Sequence, residues 1–506
     1  MSHQIQNPII TGFAPDPSVC LIDGMFYLVN SSFHLFPGLP VYMSKDLVSW
    51  THIGNAINSR SQLSLEGAST FIAPWDDGTA MVATGGLYAP TIRHHKNTTY
   101  IICTNVIHGP TNKPGDEHSE QFIVHTKDIR SGNWSDPICF SFPGIDPSLF
   151  FDDEDRVYVQ ICKTGPEFHI YNMELDIKTG KVLTEPSLIW KGWTRGYTEG
   201  PHIYKKDGWY YLLCAEGGTF RHHMLSMARS KQLSGPYEPY ENNPLYTSHG
   251  SENYVQNTGH GDLFQDQKGH WWVVILGCRI WKGRSIMGRE TFVTRVDWKE
   301  NEWPVIDSAA LEYHRGFSNA TPVEVNSTTA WVYLRDANID RYDIQKSTIK
   351  IKADSVELTS QNESASFLGQ RQRRLEGTAS VTVLNPQAQK SVRAGLALYK
   401  DEHRFLALMV NFLEGIVVFE GINRAKNFFQ TETQNITIGD SLSLRIDYTE
   451  LSLQLFFKSA EEAWHSFGAV DTSVLTDFDF TGPVIGIFAI GADVDVEFVN
   501  FEVDTT

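Results

Sequence analysis

Several things are scarce in this chain, and each scarcity excludes something. No run of 18 apolar residues occurs, so no membrane-spanning helix is expected. The start, Met1 to Pro8, has no charged segment leading into an apolar core, so no secretory leader is visible. The expectation is a cytoplasmic protein, or a secreted one whose leader has been trimmed. Basic residues are outnumbered, 42 Lys and Arg against 60 Asp and Glu, for a net charge of −18. The densest basic cluster, Arg371-Gln372-Arg373-Arg374, is short and reads as a solvated strand face. Nucleic acid needs a basic patch, so it is excluded as a partner, as is a membrane. There are only six cysteines and no C-x-x-C pair, so reduced structural thiols are expected rather than disulfides or a thiolate metal site. No long window shows a 3.6-residue apolar period; the apolar residues come in short runs bounded by Gly, Pro, Asn and Asp, which predicts strands.

What is present is a repeat. Pro15-Asp16-Pro17-Ser18 leads into an apolar run, a turn at Asp23-Gly24 and a second run, Met25 to Val29. The layout returns at Tyr88-Ala89-Pro90, at Ile145-Asp146-Pro147, at Glu199-Gly200-Pro201 and, more loosely, at His260-Gly261-Asp262. Each copy is two strands with room for two more before the next. Four-stranded sheets repeated around an axis make a β-propeller. Five copies predict a five-bladed propeller over 1–320, whose first strands line a central channel. Corresponding positions at one end of that channel hold Asp16, Asp146 and Glu199.

Near Gly316 to Pro322 the repeat stops. Beyond it come alternating strands such as Ala379 to Val383, a hairpin turning at Lys400 to His403, and further strands at Ser441 to Tyr448, Leu451 to Phe457, Val484 to Ile490 and Val494 to Val503. Many strands and no helices predict a jelly-roll-like β-sandwich over 329–506, after a linker near 316–328. Two domains fit the 506-residue length.

Two carboxyl groups flanking a glycosidic bond can hydrolyse it, one as proton donor and the other as base or nucleophile. A third nearby can raise the donor's pKa by like-charge repulsion. Asp16, Asp146 and Glu199 supply that set. A single Asp-Pro is more often just a turn; three acids recurring in a repeat argue for a site. The aromatic content of 12% suits a sugar cleft, although sheets favour aromatics anyway.

The residues go further. Pro15-Asp16-Pro17-Ser18, Ser31-Ser32-Phe33, Phe36-Pro37-Gly38, Ala89-Pro90, Asp146-Pro147-Ser148-Leu149-Phe150, Glu199-Gly200-Pro201-His202, Ala215-Glu216-Gly217-Gly218-Thr219, Gly259-His260 with Asp262, and Gly288-Arg289-Glu290-Thr291 run through the whole propeller in order. Together they make the chain resemble glycoside hydrolase family 43, close to its β-xylosidases with an appended C-terminal β-sandwich.

The resemblance implies inverting hydrolysis, with Asp16 as general base, Glu199 as general acid and Asp146 orienting and tuning Glu199. An inverting site holds acid and base about 6.5–9.5 Å apart. Arg289 resembles the arginine that bonds sugar hydroxyls; a salt bridge with Glu290 is the other reading. Phe33, Tyr88 and Thr219 would line the pocket, although Phe33 and Thr219 could equally be core. His260 matches an axial histidine that in some members holds calcium through water; plain hydrogen bonding in the channel is the alternative, and no cofactor is required. Tyr88 stands where related xylosidases carry tryptophan, Ile145 where an aromatic often precedes the Asp, and Ala14 where asparagine is common.

The expected activity is release of terminal xylose from short β-1,4-xylo-oligosaccharides, in a pocket closed on one side by the sandwich. An α-L-arabinofuranosidase is the alternative within the class, and a non-catalytic sugar-binding propeller the alternative outside it. The partner is a small oligosaccharide; a homo-oligomer stays open.

Overall fold

The structure is a computed structural model. It describes residues 6–505 apart from 195, 309–310, 312–322, 327–328, 389 and 460–461. Among the described residues every long element is a strand, and the helical pieces are single 3-10 turns such as Ile339–Arg341 and Arg424–Lys426.

Five consecutive antiparallel sheets build the first half. The first joins Ser18–Ile22, Met25–Val29, Gly38–Ser44 and Trp50–Ile57. The second is built on Thr91–His95, Thr98–His108, Glu117–Thr126 and Ile138–Phe140. The third, fourth and fifth open with Gly144–Phe151, Glu199–Lys206 and Val255–Gln265. Opening strands of successive sheets touch, and the fifth sheet meets Ser18–Ile22 of the first, so the ring closes. The N-terminal stretch seals the join: Ile9 and Ile10 donate backbone hydrogen bonds to the Thr291 carbonyl, and Thr291 donates back to Ile10. The strand pairs follow from the repeat: in the first and fourth sheets an Asp-Gly turn reverses apolar runs of matching length, as in Ser18↔Val29 through Ile22↔Met25.

The opening strands are not regular. The third sheet slips register between Ile145 and Ser148, the fourth between Glu199 and His202, and the fifth around Gly259. At the same place in the repeat φ is positive, +53° at Asp16, +55° at Asp146, +55° at Gly200 and +42° at His260. Bulges of this kind re-aim side chains and gather near active sites. They also correct the sequence alignment of the carboxylates. Asp16, Asp146, Gly200 and His260 are the equivalent residues, and Glu199 comes from one position earlier, where the third sheet has Ile145. Proline spacing concealed this because both residues precede the same proline by only one or two positions.

The second half is a sandwich of two antiparallel sheets. The seven-stranded one contains Thr348–Lys352, Asp495–Thr505, Gly377–Leu384, Ser441–Tyr448 and Ser452–Ser459; the six-stranded one contains Phe367–Arg371, Val484–Gly491, Val392–Asp401 and Arg404–Asn411. Much of the expected linker, 316–322 and 327–328, lies outside the described residues. Glu324–Val325 pairs with Trp50–Ile57, and Tyr333–Leu334 pairs with Leu35–Phe36, so attachment to the propeller continues past 329; the sandwich strands begin with Tyr342–Ile344.

The two halves share a core. Phe13, Phe33 and Leu35 of the propeller pack with Phe367, Tyr399, Phe405 and Phe488 of the sandwich. The four consecutive strands of the first blade end at Ile57. The hairpin Thr70–Pro74 and Ala80–Thr84 leaves the ring and makes a three-stranded sheet with Phe478–Asp479 of the sandwich. The basic cluster is likewise no solvated face. Arg371, Gln372 and Arg373 are buried; Arg373 donates to the Thr11 carbonyl and to the Tyr42 hydroxyl, and Arg371 lies over the Phe13 ring. These cations are interface residues, which a charge count cannot reveal.

Candidate active site

The three carboxylates meet in one pocket on the propeller axis. Asp16, Phe33, Tyr88, Ala89, Ile145, Asp146, Glu199, Thr219, His260, Arg289 and Phe480 line it. It encloses about 390 Å³ of free space including its open mouth. The enclosed part amounts to only about 70 Å³, a narrow site.

Asp16 is held on several sides. It accepts hydrogen bonds from the Ser31 hydroxyl at 2.6 Å and from Arg289 Nη1 at 3.1 Å, and His260 Nδ1 lies 3.9 Å away. Burial pushes its pKa up, but Arg289, His260 and Ser31 outweigh that and leave it below the ordinary value. Asp16 is therefore ionised at neutral pH.

Asp146 and Glu199 behave in the opposite way. Burial raises Asp146 well above the usual carboxylate range, and the charges of Glu199 and Asp16 add to it. Burial and the Asp16 charge push Glu199 up to about 7. Two acids so placed retain a proton between them near neutrality. Gly200 N–H donates to Asp146 Oδ2 at 3.1 Å, which offsets part of the rise at Asp146. A Cβ at 200 would come within 3.1 to 3.3 Å of the His260 ring, so glycine there lets the two strands approach closely.

Arg289 pairs with neither its neighbour nor the surface. Glu290 is taken by Arg279, whose Nε lies 2.6 Å from Oε2. Arg289 instead donates to Asp16, to Thr219 Oγ1 at 2.9 Å and to the Phe480 carbonyl at 3.0 Å. Its Nε is buried without a hydrogen-bond partner among the described residues. Phe33 and Tyr88, 5.0 Å apart, form the apolar wall, and Phe480 completes it at 5.8 Å from Phe33 and 5.9 Å from Tyr88.

Phe480 is the pocket residue that sequence reasoning missed. It belongs to the sandwich, about 190 positions after Arg289. The one trace of it is the aromatic pair in Phe478-Asp479-Phe480, which sits in a turn-rich stretch off the strand pattern.

Below the pocket the channel is filled. Arg93 bonds both oxygens of Asp262 at 2.7 and 3.0 Å and lies 3.0 Å from His202 Nδ1; Ser18 and Tyr204 hydroxyls donate to the same carboxylate. His260 caps this network. Calcium takes six to eight oxygen ligands, and among the described residues no group of three His, Cys, Asp or Glu is placed to hold a metal ion. That bears on direct side-chain ligation, whereas the resemblance has His260 reach a cation through water. All six cysteines are unpaired.

Residues 5–304 match the profile of "Glycosyl hydrolases family 43", and residues 325–503 match "Beta xylosidase C-terminal Concanavalin A-like domain". The chain belongs to glycosyl hydrolase family 43. Among family relatives, a xylosidase/arabinosidase from Butyrivibrio fibrisolvens is 33% identical over 96% of this chain and 95% of its own length. A non-reducing end α-L-arabinofuranosidase from Bacteroides ovatus is 31% identical over 96% of this chain and 91% of its own. Among solved structures of the family, a xylan β-1,4-xylosidase from Bacillus halodurans superposes with a TM-score of 0.84 at 28% identity, covering 98% of this chain and 99% of that one. As a family 43 enzyme the protein is a glycosidase, and its architecture of a propeller followed by a sandwich is the one these structures share.

Proposed function

We propose that the enzyme removes single terminal xylose units from short β-1,4-xylo-oligosaccharides with inversion. The observation that supports this best is the split of carboxyl states in one small pocket: an ionised Asp16 faces an Asp146–Glu199 pair that keeps a proton. The ionised group is suited to drawing a proton from water as that water attacks the sugar carbon. Glu199 is suited to protonating the departing oxygen, and Asp146 to raising and aiming Glu199. The two acid–base groups supply about 10²- to 10⁴-fold each. Arg289 and Thr219, both lining the pocket, bind the sugar's hydroxyl groups, and the Phe33–Tyr88–Phe480 wall takes its apolar face.

The closed end of the pocket favours an exo mode of attack. Arabinofuranoside hydrolysis is the second reading. Tyr88 and Ile145 shape the wall on which the choice of pentose depends, and the Bacteroides ovatus relative carries that activity in its name.

The test is sugar release from xylobiose, an aryl xyloside and an aryl arabinofuranoside, by wild type and by Glu199→Ala. Cleavage of xylobiose by wild type and its loss by 10²-fold or more in the variant is the expected result, with a smaller loss on the aryl substrates because a good leaving group needs less protonation. Cleavage of the arabinofuranoside alone would transfer the assignment to the second reading. No turnover at all, with sugar binding preserved, would make the protein a binding propeller.

A further inference from the structure

A pocket for one sugar leaves the rest of the substrate outside, and the rim outside this pocket is aromatic. Phe220 follows the pocket residue Thr219 and stacks on Phe480, centroids 6.1 Å apart and planes within 20°. Trp75, on the hairpin that joins the sandwich, lies 5.8 Å from Phe220 and 5.1 Å from Phe478, and it remains 37% exposed. On the other flank of the same turn stands Tyr197, two residues before Glu199 and 57% exposed. Its ring lies 3.9 Å from where a Gly218 side chain would begin, and 4.9 Å from Phe168. An exposed ion pair completes the rim: Arg221 reaches Asp77 at 3.2 Å and lies over Phe478 at 4.6 Å.

This rim is built and fixed. The loop before Glu199 is tied down by Glu216, fully buried, which accepts from the Trp193 and Thr194 amides at 2.8 and 2.7 Å and from the Thr194 hydroxyl at 2.7 Å. The Trp75 hairpin is held by its pairing with Phe478–Asp479. Exposed rings on a rigid frame, continuous with a polar pocket, mark a ligand surface. Tyr and Trp offer an apolar face with a polar edge, which suits the C–H face and hydroxyl rim of a sugar.

We propose that this rim is the leaving-group subsite of the enzyme. It rests on the glycosidase reading above. The first sugar beyond the scissile bond must lie next to the group that protonates its oxygen, so it stacks on Tyr197 beside Glu199. Trp75 and the Arg221–Asp77 pair hold the other side of that sugar or the next unit. Both aromatic residues set specificity for oligosaccharides over simple glycosides.

The experiment compares wild type, Tyr197→Ala and Trp75→Ala, in the full chain, on xylobiose, xylotriose and β-D-xylopyranosyl fluoride. The fluoride fills the pocket and leaves without a ring. The expected result is a loss of about 2- to 13-fold in kcat/KM on the oligosaccharides, as for lost aromatic stacking, with the fluoride and product inhibition by xylose unchanged. Tyr197→Ala, whose ring is mostly exposed, reads the effect even where Trp75→Ala loosens the hairpin. Equal losses on fluoride and oligosaccharide, or no loss on either, would overturn the subsite. A wild type that hydrolyses neither substrate would overturn the glycosidase reading and the subsite with it.

Discussion

At the scale of single residues, the site runs on two opposite electrostatic settings a few side chains apart. Asp16 is enclosed but paired with Arg289 and Ser31, so its charge is kept. Glu199 is enclosed and faces Asp16, so its charge is suppressed and its pKa moves from 4.5 to about 7. A carboxyl whose pKa is raised by folding binds its proton more tightly in the native state. It therefore costs stability once the pH exceeds its unfolded value, and the cost grows until the pH passes its folded value. Glu199→Gln removes that penalty. The variant is expected to melt a few degrees above wild type at pH 8, at about 2–4 °C per kcal/mol gained, and to lose the advantage as the pH is lowered to 4.5. Calorimetry of both proteins across that range checks it; a variant that is less stable at pH 8 would show that Glu199 is held by partners rather than strained.

At the scale of elements, the segment 477–481 decides the shape of the pocket, and buried charge fixes it. Lys400 and Arg404, both fully buried, bond Asp479; Arg404 also bonds Asp401, lies 3.5 Å from Asp477 and donates to Thr481 Oγ1 at 3.2 Å. Phe480 lies between Asp479 and Thr481, and its carbonyl is the one Arg289 holds. Removing one partner of a buried pair costs about 3–5 kcal/mol. Asp479→Asn leaves Lys400 and Arg404 short of a counter-charge without changing shape. It is expected to lower the melting temperature and to raise KM for xylobiose more than it lowers kcat, because the wall loosens while the carboxylates stay in place. Steady-state kinetics beside a melting curve separates the two effects, and a pure kcat defect would contradict this role. The element scale was partly legible in the sequence. The hairpin turning at Lys400 to His403 is where the alternation put it, Val392–Asp401 into Arg404–Asn411. That its turn is a buried ion cluster was not legible, because charged residues at a turn ordinarily face water.

For the whole molecule, the sandwich completes the catalytic pocket and does not simply stand beside it. It contributes Phe480, the Phe478–Asp479 strand of the bridging sheet, and Glu402, which accepts from Thr70 N at 2.6 Å and pairs with Arg335 at 2.8 Å. It also covers Phe13 and Phe33. A chain ended after residue 326 keeps all three carboxylates yet lacks Phe480 and exposes that aromatic core. Expressed alone, it is expected to be aggregation-prone and to lose xylobiose hydrolysis by at least about 10-fold, the cost of a lost pocket wall. Size-exclusion chromatography and a xylose assay check this; a soluble propeller with full activity would show that the sandwich is dispensable.

The sequence by itself determined the repeat, the all-β character, the change of texture between the halves and the recurrence of Asp16, Asp146 and Glu199. These are periodic or local features: turn residues recur at fixed offsets, alternation has period two, and a carboxylate before a proline is visible wherever it lies. Only the tertiary structure decided which residues are equivalent, because bulges shift register by one residue without marking the sequence, and Glu199 is aimed from a different position than the aspartates. It also decided that Arg371 and Arg373 are buried, that Asp262 pairs with Arg93 below the site, and that Phe480 closes the pocket. Those facts arise from contacts between residues up to several hundred positions apart. Nothing in the local pattern of either partner records such a contact.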